Sequence, residues 1–305
     1  MDEIFHSGEL KIQEITGERE GAKMNRGVIS NTVFPGAVHF IEKQPLVVVS
    51  SKDDHGQVWA SVLVGEPGLS SVPDTKTLLI NLPHLRSTRE DIFFENITRN
   101  PEVGTLFIEP ATRRRYRING RAGSIPDGIG IQVQEAYPNC PKYIQRRVVT
   151  FPETEKQKGL LITMGVSLGE DERKWIGSAD TFFVGSSSED GRMDVSHRGG
   201  NPGFIQFLED GSLKIPDYSG NSLYNTLGNF HQNPNGGLTF LDYNSGACLQ
   251  LTGRVTFLFD QQRPEDMERT TGTGRYWLFK IEKWQRIDNH HHATWEFSEY
   301  SPFNP

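Results

Sequence analysis

NPEVGTLFIE (Asn100–Glu109) and NPNGGLTFLD (Asn233–Asp242) are one stretch written twice, 133 residues apart. In each, a proline closes a helical segment and a strand begins immediately after it. The same offset holds downstream, where Gly120-Arg121 matches Gly253-Arg254. Upstream, at an offset of 135, Ser61, Gly65, Pro67 and Gly68 match Ser196, Gly200, Pro202 and Gly203. A period this long, in two copies only, is a domain duplication and not a solenoid. The expected division is a first domain over 1–155, with a connecting segment, and a second over 156–305.

Working outward, both copies read as mainly β with a few helices. Pro45–Ser50 and Thr181–Gly185 are apolar runs of strand length. Lys52-Asp53-Asp54-His55-Gly56 and Ser187-Ser188-Glu189-Asp190-Gly191 follow them, tight turns with glycine at the positive-φ place. Second strands come next, Val58–Val64 and Arg192–Arg198, then Thr77–Ile80 and Ser212–Ile215. Asp91–Ile97 and Ser222–Phe230 carry apolar residues at helical spacing ahead of each Asn-Pro. The strand pair Gly104–Glu109 and Arg114–Gly120 is mirrored by Gly237–Asp242 and Ala247–Gly253. Many short strands around one helix predict a small antiparallel barrel per copy. A helix precedes each barrel, at Val33–Lys43 and Glu170–Ser178. Gly128–Arg147 reads as a long connection, broken by Pro138 and Pro141. Tyr276–Ile281 reads as the closing strand of the second barrel.

The 305 residues suffice for two cores. A formal charge of −7 argues against nucleic acid or an acidic membrane surface as partner. The start lacks the basic and apolar regions of a secretory signal, and no apolar run reaches membrane-helix length. Two cysteines, Cys140 and Cys248, exclude a disulfide framework and point to a reducing cytoplasm. Adjacent His290, His291 and His292 point in different directions, so no metal is expected there.

The copies differ at one strand end. Where the first has Ser61-Val62-Leu63-Val64-Gly65, the second has Ser196-His197-Arg198-Gly199-Gly200. A hydroxyl, an imidazole and a guanidinium followed by glycines offer convergent donors to a phosphate. The second copy then has Ile215-Pro216-Asp217-Tyr218-Ser219-Gly220-Asn221-Ser222, with Asn221 and Ser222 as N-cap types at a helix start that favours an anion. The plainer reading is a surface strand with a satisfied arginine and an ordinary helix cap. It weakens because both elements fall in one copy. Three consecutive arginines, Arg113–Arg115, could supply charge from the first barrel, but on a strand they read mostly as a solvent face.

At these residues the chain resembles the pyridoxamine 5'-phosphate oxidase-like flavin-binding split barrels, and more narrowly the tandem-barrel members. Asp194–Phe204, Ile215–Asn221 and Asn139–Arg147 carry the resemblance, and Phe5-His6-Ser7-Gly8-Glu9-Leu10 fits the same subgroup. It implies two tandem six-stranded antiparallel split β-barrels with FMN at their interface. The positions it assigns to the flavin are Ser196, His197 and Arg198, with Asp217, Asn221 and Ser222 lining the approach. A segment like Asn139–Tyr143 reaches the flavin pocket in related proteins, which adds Cys140 and Lys142. As an alternative, Cys140 is a small apolar filler. The Trp-Arg-Ile…Arg-Leu-x-Pro ending of true pyridoxamine phosphate oxidases is absent, so the vitamin B6 substrate is not implied.

The resemblance further implies an FMN-dependent oxidoreductase acting on a small molecule, with NAD(P)H or oxygen as electron partner and room for a homodimer. No acid–base residue is assigned. No G-x-G-x-x-G follows a strand, so NAD(P)H would bind only transiently over the flavin. A non-catalytic flavin carrier or sensor, and a haem-binding or haem-degrading relative on the same barrel, stay open as alternatives. The first copy is expected to act as the opposite wall, giving one flavin per chain rather than two unless chains also dimerise.

Overall fold

The computed structural model describes residues 4–152 and 159–305. The expected boundary between 155 and 156 lies outside them. Two helices open the chain, α1 (Ser7–Thr16) and α2 (Arg19–Asn25). The first unit contains α3 (Val38–Glu42), β1 (Leu46–Lys52), β2 (Val58–Val64), β3 (Ser70–Asp74), β4 (Thr77–Asn81), α4 (Ile92–Arg99), β5 (Glu102–Glu109), β6 (Arg114–Ile125) and β7 (Gly128–Asn139). After β8 (Arg146–Thr150) and β9 (Leu161–Gly165) the second unit repeats it. Its elements are α5 (Glu170–Ser178), β10 (Thr181–Ser187), β11 (Met193–Gly199), β12 (Gln206–Phe207), β13 (Leu213–Pro216), α6 (Asn225–Gln232), β14 (Asn235–Leu241), β15 (Cys248–Leu258), α7 (Pro264–Arg269) and β16 (Tyr276–Asp288). The last strand, β17 (Thr294–Glu299), pairs with β8.

The protein is mainly β, and the duplication is topological as well as sequential. The first sheet runs β2-β1-β5-β6-β7-β4-β3 and the second β11-β10-β14-β15-β16-β13-β12, with β9 added on β16. Val49 faces Thr105 as Val184 faces Leu238. A register shift follows Asn119 in one copy and Thr252 in the other, so even the bulge is repeated. The first sheet has seven strands and the second eight, against the six expected, with β3 and β12 as edge strands and β9 as the extra one on β16.

Two expectations are corrected. Gly128–Asn139 is a strand, not a connection: Ile129, Ile131 and Val133 alternate inward and are buried, while the glycines between them hid the period of two. The helix expected over 33–43 shrinks to a 3-10 turn, Pro35–Ala37, running into the five-residue α3, because Pro35-Gly36 cannot sustain a regular helix.

The strand β1 is buried on both faces, for a reason its Leu-Val-Val-Val run announces. Val47 and Val49 enter the first barrel's core, whereas Leu46 and Val48 face the second barrel. That interface core also holds Val62, Leu106, Phe183 and Val195. Burying each such side chain contributes about 1.5–3 kcal/mol. The glycines of the opening repeat sit at the closest approach. A Cβ on Gly104 would lie 2.7 Å from Asp194 Cα, and one on Gly237 would lie 2.7 Å from Trp59 Cα. Each copy's glycine thus admits the other copy's edge strand.

Candidate functional site

The cleft between the barrels gathers all eight residues expected from the sequence. Ser196, His197 and Arg198 come from β11, Asp217, Asn221 and Ser222 from the loop after β13, and Cys140 and Lys142 from the turn after β7. Arg115 and Arg117, on β6 of the first barrel, complete the wall. The cleft therefore lies within one chain. It encloses about 870 Å³ of space including its open mouth, of which about 130 Å³ can hold the centre of a water molecule.

Of the three arginines lining the cleft, Arg117 is held in an ion pair, whereas Arg115 and Arg198 have none among the described residues. Arg117 Nε meets Asp194 Oδ1 at 2.8 Å, its Nη1 donates to Tyr137 Oη at 2.6 Å, and Nη2 donates to Ser196 Oγ. Burial lowers this guanidinium's pKa, but Asp194 and Tyr137 outweigh it and raise it. Arg275 is likewise held, by Asp217 at 3.0 Å. Arg198, by contrast, donates only to the carbonyl of His197, at 3.1 Å. Arg115 donates to the carbonyls of Cys140 and Lys142. Neither has a carboxylate partner among the described residues, and burial lowers the pKa of both. Both side chains are half-buried, and the Asp217 charge offsets part of the burial at Arg198. Half-buried cations without a paired carboxylate suit an anion.

Two further features face the same space. His197 is 3% exposed and neither ring nitrogen has a partner. Burial, then Arg115, Arg198 and Arg147, keep it well below its ordinary pKa, so it is a neutral imidazole with one N–H to give. The N-terminus of α6 opens on the cleft through Asn225, Thr226 and Leu227, and no side chain caps it. Free N–H groups at a helix start, with the helix dipole behind them, favour an anion.

The loop that presents this helix end corrects the capping expectation. Asn221 Oδ1 accepts from the Leu223 N–H at 3.2 Å, and Ser222 lies outside the helix at φ 62°. Tyr224 holds the N-cap position at φ 60°. What fixes these two left-handed residues is Glu18, which accepts from Ser222 Oγ at 2.7 Å, Tyr224 Oη at 2.5 Å and Arg275 Nη1 at 3.1 Å. Leu223 is clamped beside them in a small core with Phe5, Ala22 and Tyr137. Asp217 is bound to Arg275, and Cys140 acts through its backbone carbonyl. Tyr143 and Tyr218 line the cleft with their rings tilted by 32° and centroids 4.8 Å apart, and Lys142 lies over Phe303.

Sequence reasoning missed Arg117, Tyr143, Thr226 and Glu18, and it took Arg115 for a solvent-facing residue. The offset of 133 offered one signal, since it sets Arg115 and Arg117 against Cys248 and Gln250.

A family model described as pyridoxamine 5'-phosphate oxidase matches residues 35–130, from α3 through the start of β7. That stretch of the first barrel is similar to the family. The second barrel repeats the first barrel's strand order. No curated protein matches the chain. Among solved structures, the chain is similar to a putative pyridoxamine 5'-phosphate oxidase from Lactobacillus delbrueckii, at 15% identity, covering 35% of this chain and 95% of that one, TM-score 0.28. HupZ from Group A Streptococcus matches at 19% identity over 35% and 93%, TM-score 0.28. A FAD-binding protein from Mesorhizobium loti matches at 13% identity over 42% and 98%, TM-score 0.30. No helix among the described residues is long and apolar enough to cross a membrane, and no group of His, Cys, Asp and Glu there could hold a metal ion.

Proposed function

We propose that the interbarrel cleft holds flavin mononucleotide and that the protein is a flavin-dependent oxidoreductase acting on a small molecule. The observation that carries this is the pair of guanidiniums without counter-ions, Arg198 and Arg115, facing an uncapped helix. That donor set fits a terminal phosphate: two cations, the N–H groups of α6 and one imidazole N–H. Arg198 and Arg115 bind the phosphate from opposite barrels. Arg117 and Asp194 hold the strand that carries Ser196 in register. The Tyr143–Tyr218 pair offers an apolar surface to a planar ring and excludes water from that side.

When bound, flavin supplies hydride and electron transfer. Reduced nicotinamide or dioxygen is the electron partner we assign, on the family resemblance alone. The neutral state of His197 suits it to donating a hydrogen bond and not to carrying charge.

The test is the purified protein itself. Yellow colour, flavin absorbance and a copurifying mass of FMN at one per chain support the reading. Bleaching by NAD(P)H under argon distinguishes an oxidoreductase from a carrier. A Soret band, or failure to bind added FMN, refutes it.

A further inference from the structure

The first barrel contains the counterpart of the cleft, closed from within. At the N-terminus of α4, Asp91 is 2% exposed. Its Oδ1 accepts from the Phe93 N–H at 2.9 Å and from Ser61 Oγ at 2.6 Å, and its Oδ2 accepts from Gln250 Nε2 at 3.2 Å. Gln250 Nε2 also reaches Ser61 Oγ at 2.7 Å, and Gln285 donates to Gln250 Oε1.

Each member has a partner in the open cleft. Ser61 corresponds to Ser196, Gln250 to Arg117, and Phe93 to Thr226 by the two sequence offsets. Gln285 corresponds to Tyr137 by register, since Gln250 faces Gln285 as Arg117 faces Tyr137. The bonds correspond too. Arg117 joins Ser196 and Tyr137, while Gln250 joins Ser61 and Gln285. Where Asp91 stands, the second copy has Tyr224, whose side chain caps nothing. Nearby, His290 is buried with Nδ1 unpartnered; burial lowers its pKa and the Asp91 charge opposes that.

We propose that the α4 N-terminus is a second anion site of the same class, suited to a carboxylate or phosphate, which this chain fills permanently with the carboxylate of Asp91. The α4 end favours an anion because the first N–H groups of a helix, with its dipole behind them, carry partial positive charge, and the Phe93 N–H is aimed at the Asp91 carboxylate. A tethered carboxylate meets that need without ligand. Val62 and Leu63, which replace His197 and Arg198, remove an imidazole donor and a cation that would over-compensate it. The inference rests on reading the α6 end as an anion site only for the comparison between copies.

Chemical rescue tests it. Asp91→Gly in the full chain deletes the internal anion and leaves room for a free one. Thermal unfolding is followed while sodium formate replaces sodium chloride at constant ionic strength, with inorganic phosphate as a second probe. The expected result is a lowered midpoint that formate raises in the variant by several degrees, with no matching rise in the wild type. If the variant and wild type respond equally to formate, or the variant melts with the wild type, the proposal fails. Should the variant not accumulate folded, refolding from urea with and without formate reads the same contrast, and equal recovery overturns the proposal. Adding Arg198→Ala separates the two sites. A formate response that survives it arises at α4, whereas one that disappears arose in the cleft and overturns the proposal. Failure of FMN to bind the wild type would leave the rescue result untouched.

Discussion

Arg198→Ala separates a ligand-binding arginine from a structural one. Arg198 makes one hydrogen bond, to a neighbouring carbonyl, and has no carboxylate partner among the described residues. Truncating it relieves the burial that lowers its pKa and gives up the attraction of Asp217, which stays paired with Arg275. Ligand-free stability should therefore hold or rise. Affinity should not: a charge-assisted hydrogen bond to phosphate is worth about 1.5–3 kcal/mol, which corresponds to roughly 10- to 150-fold in Kd. Arg117→Ala is the opposite case. It abandons Asp194, 1% exposed, and breaking a buried pair costs about 3–5 kcal/mol.

FMN fluorescence quenching gives the affinities, and thermal unfolding without ligand gives the stabilities. The wild-type midpoint should rise with FMN by mass action, and that of the Arg198 variant should rise much less at the same concentration. Leu63→Ala, at the equivalent place in the first copy, belongs to a packed core and should cost stability with FMN affinity unchanged. The reasoning is refuted if Arg198→Ala destabilises the free protein as much as Arg117→Ala does. Equal effects of Arg198→Ala and Leu63→Ala on Kd refute it as well.

Glu9 is 4% exposed, and burial raises its carboxyl from the ordinary 4.5 to about 8, against the His6 N–H and Asn225 amide that favour its charge. A raised folded-state pKa means its contribution is fully present below the unfolded value and is lost as pH rises through about 8. Wild-type stability should thus fall by on the order of a few kcal/mol across that window, and Glu9→Gln should flatten the urea-midpoint profile. Glu18→Gln removes the carboxylate that pins Ser222 and Tyr224 in left-handed conformations, each costing about 1–3 kcal/mol. FMN affinity should drop severalfold although Glu18 does not line the cleft, measured by the same quenching titration. Gly237→Ala places a Cβ 2.6 Å from Val58 O, backbone that cannot step aside, and should cost about 1–3 kcal/mol by urea unfolding.

The fold was legible because the duplication supplied its own control. Prolines at 101 and 234 stop helices in both copies, and the Val-rich β1 announces a strand buried on two faces. Gly128–Asn139 was hidden because glycines and glutamines occupy its outward positions, leaving only three inward residues to show the period. Ser196, His197 and Arg198 stood out against Ser61, Val62 and Leu63. Arg115 did not, since three consecutive arginines on a strand look alike until the sheet assigns them faces. Glu18 was invisible for another reason. Its partners, Ser222, Tyr224 and Arg275, lie more than 200 residues away, and no local pattern encodes a tertiary hydrogen bond.

The chain's asymmetry follows from how a two-barrel interface distributes its residues. The open cleft draws on β6 of the first copy with β11 and α6 of the second. Its sealed counterpart draws on β15 of the second copy with β2 and α4 of the first. The residues that define the two places are thus different codons. In a symmetric pair of single barrels they would be the same codons, because every residue of an isologous interface serves both places at once. An Arg117-to-Gln change there would empty both sites together. In the fused chain, glutamine at 250 and aspartate at 91 alter one place alone, and leave Arg117 and the uncapped α6 intact at the other. One cleft for an external anion and one closed by an internal carboxylate is therefore a state that a fused pair can reach and a symmetric dimer cannot.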